Sequence, residues 1–434
     1  MKTSLSRIFV TLIAVTLFLA SLQVLSVKAQ QETIIVPDNH PTIQEAIDIA
    51  KDGDTIFIKS GIYNEQSIVI NKPISLIGEN PKTTILQGPK IEYPITKKEP
   101  NNKPDFTLLN SKTSINFLPP ITIIIQIKAD NVEISGFTLT NAYTGISATG
   151  NKTKITQNNF IDTYNNALNI KGHYTTITQN NITGTVQCTG NYNIISSNNL
   201  NFSHPNIKLK GDLNIIQNNN INNRGYGIEI IGNQNLIAKN CLTGDLETGS
   251  EGIVITQGIN NEILKNIIKN NYFSGILIQT GINNSIHKNT ITENRFGLVI
   301  VGYDNESGNN TVFQNNFINN TQQAKVDYLP ALQNRWDDSK EGNYWVDYNG
   351  TDSNSDGIGD TPYLVEAYKW DNDVGGEASF VSGQDNFPLM EPYDFENDKI
   401  VLPSVLPFAA FIVIVSFLGL GIFVFFKKNR GKTL

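Results

Sequence analysis

The sequence predicts an all-β fold: a right-handed, single-stranded parallel β-helix with coils of ~21 residues, a short N-terminal capping helix and one C-terminal transmembrane helix. Three observations carry this. Gly closes an apolar strand at 150, 172, 190, 211, 232, 258, 281 and 302, at intervals of 18 to 26 residues. A second marker runs in phase, at Asn159, Asn181, Asn199, Asn220, Asn240, Asn266, Asn289 and Asn316. Finally, 42 Asn fall between 151 and 350. Asn forms helices poorly and tolerates turns, so a helical middle is excluded.

The N-terminus opens with Lys2 and Arg7, then the apolar run Ile8 to Ala20, then small residues around Ala29. That order predicts a secretory signal peptide over 1–29, with an uncleaved anchor as the alternative. Residues 30–88 hold a cap and the first coils. Within them Thr42 to Ala50 carries Ile43, Ala46, Ile47 and Ala50 at helical spacing. A stacked sheet leaves unpaired backbone at its first coil, and this helix is placed to cover it. Residues 89–120, with Pro89, Pro94, Pro104, Pro119 and Pro120, break the pattern and read as an insertion loop.

From 121 to 327 the chain repeats short alternating strands between Asn or Gly turns. One unit cannot bury its apolar face, but stacked units can. The in-phase Asn then has a physical role: stacked side-chain amides bond from coil to coil. Residues 328–393 read as a C-terminal cap. Trp336, Tyr344, Trp345, Tyr348 and Phe387 supply the aromatic surface that covers the open core. A linker follows over 394–405. Leu406 to Phe426 is free of charge and long enough to span ~30 Å of hydrocarbon as a helix. Lys427, Lys428, Arg430 and Lys432 in the 427–434 tail mark the cytoplasmic side. The expected topology is single-pass on the extracellular face of the membrane, N-terminus outside.

Composition narrows the function. Net charge is -7, which argues against a nucleic-acid partner. Two Cys cannot make a disulfide framework. Asp352, Asn354, Asp356, the Ile358 carbonyl and Asp360 place oxygen at alternate positions around Gly357, a spacing suited to Ca²⁺. Tyr363 stands where an EF-hand carries its bidentate Glu, and the alternative is a metal-free Asp/Asn turn. The acids of the coils form no paired set of the kind glycoside hydrolysis needs. Asp245, Glu247 and Glu251 cluster in the longest coil, as a solvated loop would. Six coils place an aromatic or His residue six to eight positions before the closing Gly: Tyr143, Tyr164, His204, Tyr226, Phe273 and Phe296. Stacked along one edge, these rings either bind a glycan or fill space beneath turns.

Three stretches resemble one family. PTIQEAIDIAKDGDTIFIKSGIY resembles the N-terminal cap, and the N-x-I repeats of 131–320 resemble the coils, of NosD-type periplasmic proteins and related carbohydrate-binding and sugar-hydrolase β-helix domains. GNYWVDYNGTDSNSDGIGDTPY (342–363) and DNFPLMEPY (385–393) resemble the terminal signature of surface-anchored archaeal members. The resemblance implies the β-helix and leaves three functions open. These are a non-catalytic binder of glycan or cell-envelope partners, a polysaccharide lyase, hydrolase or epimerase, and a copper accessory protein. Copper is not supported by the residues. His40, His173, His204 and His287 occupy unrelated coil positions, and Cys188 and Cys241 fall in apolar columns.

Overall fold

The computed structural model describes residues 31–65, 67–89, 122–203, 205–302, 307–327, 333–371 and 376–395. The expected signal peptide, the 406–426 stretch, the basic tail and all of the insertion loop but Pro89 lie outside the described residues. No helix among the described residues is long and apolar enough to cross a membrane.

The chain winds into a parallel β-solenoid. A narrow sheet of twelve strands runs in chain order from Thr33–Val36 to Thr311–Phe313. Every neighbouring pair in it is parallel. We number the rungs by this sheet; Thr176–Thr178 is rung 6, Ile194–Ser196 rung 7, Ile215–Gln217 rung 8, Leu236–Ala238 rung 9, Glu262–Leu264 rung 10 and Thr311–Phe313 rung 12. The spacing of the Gly markers predicts about ten coils. There are twelve rungs, and at ~4.8 Å per strand the rod is roughly 50 Å long. Each three-residue strand of the narrow sheet points one Ile or Val inward, the four-residue strands Thr33–Val36 and Thr55–Ile58 point two each, and these residues belong to a single continuous core.

The capping helix spans Ile43–Ile49 and buries Ile43, Ala46 and Ile47 over the first coil. Charges hold both its ends. Glu65 accepts the Ile43 and Gln44 amides at 2.7 and 3.1 Å, while Lys72 donates to the Ile47, Asp48 and Ala50 carbonyls. Each charge complements the helix dipole at its end.

The Asn ladder exists, but its register corrects the sequence expectation. The buried column is Asn158, Asn180, Asn198, Asn219, Asn240, Asn266, Asn289, Asn315 and Asn343, each at most 2% exposed. Each Nδ2 donates to the Oδ1 one coil on, at 2.9–3.2 Å. The same Oδ1 also accepts the lower residue's backbone N–H. Of the expected ladder residues, Asn240, Asn266 and Asn289 lie in this buried column. Asn159, Asn181, Asn199, Asn220 and Asn316 are each one residue late, and every one is the second Asn of a doublet. Backbone conformation explains the offset. The residue before each inward Asn from 158 to 315 is left-handed: Gln157, Gln179, Ser197, Asn218, Lys239, Lys265, Lys288 and Gln314. The Asn after it turns inward, and the next residue starts a strand facing out.

A second ladder escaped the sequence reading: Asn193, Asn214, Asn235, Asn261, Asn284, Asn310 and Asn334. Its signal was present, because most of its members sit three residues after a closing Gly. The closing position tolerates little else. Gly211 has φ +143, and a Cβ there would stand 2.1 Å from the Gly190 carbonyl oxygen.

Beyond rung 12, Trp336 and Trp345 are buried. The Trp345 ring stacks between Phe317 and Tyr363, with centroids 4.5 and 4.2 Å away. The first ladder stops at Asp385, itself fully buried. Its Oδ2 accepts the Asn343 amide at 2.7 Å and the Trp345 indole N–H at 2.8 Å, and its Oδ1 accepts the Phe387 amide at 3.0 Å. Burial pushes this carboxyl up to about 6, against the pull of those hydrogen bonds.

Two outcomes follow for stability. Asn219→Leu strands the Asn198 amides, takes a donor from the Ile195 carbonyl and leaves Asn240 Oδ1 only the backbone N–H of residue 219, and should cost roughly 3–5 kcal/mol. Its exposed neighbour, with one side-chain bond to Asn199, should tolerate Asn220→Leu at less than about 1 kcal/mol. Equal shifts in denaturant midpoint for the two variants would refute the register. For Asp385, a folded value above the ordinary 3.8 means that the folded state holds the proton more tightly. This contribution is therefore present at low pH and lost as pH rises from about 4 through 6. Relative to the parent, Asp385→Asn should gain about 2–3 kcal/mol between pH 4 and 7. A difference that does not vary with pH would contradict this assignment.

Candidate binding site

The outward members of the Asn doublets create a surface. Asn159, Asn181, Asn199 and Asn220 form an outer row at the corner after the narrow sheet. Asn181 Nδ2 donates to Asn159 Oδ1 at 3.0 Å and Asn220 Nδ2 to Asn199 Oδ1 at 3.1 Å. Beside them the left-handed corner residues project as a parallel row, and Gln157 Nε2 donates to Gln179 Oε1 at 3.4 Å. Between the rows lies a shallow groove of about 620 Å³, lined by Gln157, Gln179, Asn181, Asn199, Asn218 and Asn220 among others. Its lining carries no formal charge. Each amide offers both donors and an acceptor, which matches sugar hydroxyls and repels neither polymer charge.

The opposite edge of the same rungs carries rings. Tyr174 and Tyr192 sit on consecutive coils just before rungs 6 and 7. They stack with centroids 5.0 Å apart and planes 3° from parallel, and Tyr174 is 38% exposed. Both are left-handed corner residues two positions after a closing Gly. These rings follow the closing Gly, outside the line of aromatics that precede it. Between the two edges the sheet presents Thr176, Thr178, Ile194 and Ser196 outward, opposite in phase to the buried Ile177 and Ile195.

The expected aromatic line is discontinuous. Tyr164 and Phe273 are exposed, but they stand five coils apart. Tyr143, Tyr226 and Phe296 are half-buried, and His204 lies outside the described residues. Tyr226 and Phe296 pack on the outward Val254, Leu277 and Val299, so these two fill space. Phe273 meets Tyr272 edge to face at 4.7 Å.

Among the acids, Asp245 and Glu247 stay in the turn, where Asp245 accepts the Glu247 amide. Glu251 departs from the solvated reading. Burial pushes its carboxyl up to about 7, and its Oε2 has no hydrogen-bond partner. A second carboxylate would be needed beside it for glycoside hydrolysis. Glu229, on the adjacent coil, has both oxygens on Lys208 Nζ at 2.9 Å.

The Asp loop folds on itself. Asp352 accepts the Ser355, Asp356 and Gly357 amides, and Asp360 accepts the Ser353 amide and hydroxyl. Asp356 and Asn354 are likewise turned on loop amides, and Ile358 lends its own N–H to Asp356. In this arrangement the oxygens face amides rather than a common centre. Among the described residues no three His, Cys, Asp or Glu side chains converge as a metal site. His173 Nδ1 accepts the Asn191 amide, and His287 pairs with Glu262 at 3.0 Å. Cys188 replaces Ile170 and Leu209 in a core column, where burial pushes its thiol up to about 12. Cys241 is half-buried in the strand column between Asn220 and Ile267.

These features define a parallel β-solenoid protein with polar corner ladders. Residues 188–350 match the family described as periplasmic copper-binding protein (NosD). A 57-residue stretch is 42% identical to the probable ABC transporter binding protein NosD of Pseudomonas aeruginosa, and another such match is to that of Stutzerimonas stutzeri. The chain spans 13% of the length of each of these curated relatives, over 13% of its own. Among solved structures, the Dettilon tailspike protein aligns over 81% of this chain and 76% of its own, at 12% identity and TM-score 0.48. The A-module of the Azotobacter vinelandii mannuronan C-5 epimerase AlgE6 aligns over 70% and 86%, at 13% identity and TM-score 0.40.

Proposed function

We propose that this chain is a non-catalytic β-solenoid rod that binds an extended, uncharged glycan or cell-envelope polymer across rungs 6 and 7. In this reading it is secreted, then held at the outer face of the membrane by the 406–426 stretch. One observation carries the binding role: the Tyr174–Tyr192 stack and the amide groove flank the same rungs. Five residues of strand and corner separate them, roughly 16 Å, a span suited to a short run of sugar rings. The tyrosine faces pack on the sugar's C–H surface while Gln179, Asn181 and Asn199 reach its hydroxyls. Calcium in the Asp352–Asp360 loop is not required for this binding. The alternative is a polysaccharide-active enzyme, and the specific feature in its favour is Glu251, whose Oε2 is buried without a hydrogen-bond partner.

One experiment separates the two. The full chain, solubilised in detergent, is incubated with neutral and uronate-rich polysaccharides, and binding and products are followed together. The expected result is retention of a neutral polymer with no new reducing ends or unsaturated products. Tyr174→Ala with Tyr192→Ala should weaken that retention at least about tenfold, roughly 1.4 kcal/mol, with little change in melting temperature. Full retention by the double variant would overturn the site. Product formation that is lost in Glu251→Gln would establish the enzyme.

A further inference from the structure

The narrow sheet carries a patch that its neighbours do not explain. Inward residues Ile195, Ile216, Ile237 and Ile263 belong to the main core. Ile215, Leu236, Ala238 and Leu264, with Ile194 against them, form a separate cluster on the outward face of rungs 7 to 10. They face away from the core, yet Ile215, Leu236, Ala238 and Leu264 are at most 5% exposed. Below the patch the outward residues are Thr176 and Thr178; above it they are Ser285, His287, Thr311 and Phe313, the last stacked on the His287 ring at 4.8 Å. The buried apolar cluster therefore runs over rungs 7 to 10.

The chain after the C-terminal cap heads for this patch. Leu389 N donates to the Asn343 carbonyl, one coil beyond rung 12. Tyr393 then exchanges two hydrogen bonds with Asn316, at 2.7 and 3.0 Å, and its ring lies under Lys288 Nζ. The Phe395 carbonyl accepts from Lys265 Nζ at 3.3 Å. Asn343, Asn316, Lys288 and Lys265 lie on successive coils, so this segment travels back down the rod, and at Phe395 it reaches the ammonium of Lys265, the residue after Leu264. Residues 396–405 come next, ENDKIVLPSV. Three rungs separate Leu264 from Ile194, ~14 Å, well within the ~33 Å reach of ten residues.

Charge and polarity match the route. Lys239, Lys265 and Lys288 occupy the same left-handed corner on three successive coils, making a basic row beside the patch. Asp394, Glu396 and Asp398 supply acid along the approaching chain, and Ile400, Val401 and Leu402 supply apolar side chains.

We infer that residues 396–405 dock on this outward face, with the acids along the lysine row and Ile400, Val401 and Leu402 over Ile215, Leu236, Ala238 and Leu264. The segment is then an intramolecular strap, not a free linker. It ends at the upper margin of the amide groove, near Asn218, and brings the start of the 406–426 stretch to the flank of the rod instead of its capped end. The strap stands independently of the glycan reading.

Trypsin reads it directly, since Lys399 lies within the segment. In the full chain in detergent micelles, cleavage after Lys399 should be at least about tenfold slower than in a variant carrying Leu236→Asp and Leu264→Asp. A second variant, Val401→Asp with Leu402→Asp, leaves the rod untouched and should release the same bond, with an unchanged melting temperature. Equal cleavage rates in the parent and the Val401/Leu402 variant would overturn the strap. Protection that fades on dilution would also overturn it, assigning the patch to a second copy of the chain.

Discussion

Every coil of this rod must turn corners, and a corner exposes backbone amides that no strand can pair. The Asn side chain answers that constraint. One Oδ1 accepts both the backbone N–H and the side-chain N–H of the coil below, and one Nδ2 reaches the coil above and a strand carbonyl. The buried amide is expensive alone and inexpensive in a column, because only the two ends of the column lack a neighbour. Repetition is thus a physical requirement of the fold, not a decoration on it. The same logic explains the ends. The column is closed at the C-terminal side by a buried carboxylate, Asp385, which can accept the last amide and a tryptophan N–H together.

The ladders also decide what the surface can do. Because each inward Asn from 158 to 315 follows a left-handed residue, each of these coils projects one corner side chain outward at the same place. Along one corner these are Gln, Ser and Asn on the earlier coils and Lys on three later ones. The earlier run makes the uncharged groove and the later run makes the basic row. At the other corner, two such positions are Tyr and stack. Function on this scaffold is written in residues whose backbone the ladder has already fixed. Substitutions there can change the surface with little penalty to the core.

The periodicity of Gly and Asn was enough to read the solenoid from the sequence, since both markers reflect a backbone that repeats. Finer register was harder. In Asn-Asn doublets such as 219–220, chemistry is identical at both positions, and only the left-handed residue before them fixes which one turns in. The lysine-preceded Asn240, Asn266 and Asn289 had no such ambiguity. The second ladder was legible in principle, three residues past most of the closing glycines. The Tyr174–Tyr192 stack was visible only once the corner, not the strand, was taken as the projecting element. Burial of Glu251 and the return of Tyr393 and Phe395 along the rod depend on contacts far apart in sequence, and no local pattern announces them.

Amide hydrogen exchange tests the central claim most directly. The backbone N–H groups of Asn180, Asn198, Asn219 and Asn240 lie at turns, yet each donates to a buried Oδ1. If the ladder holds the rod together, these corner amides exchange as slowly as those of the flanking strand residues Ile182, Leu200 and Leu242. Corner amides that exchange orders of magnitude faster than those strands, as open loops do, would contradict the account.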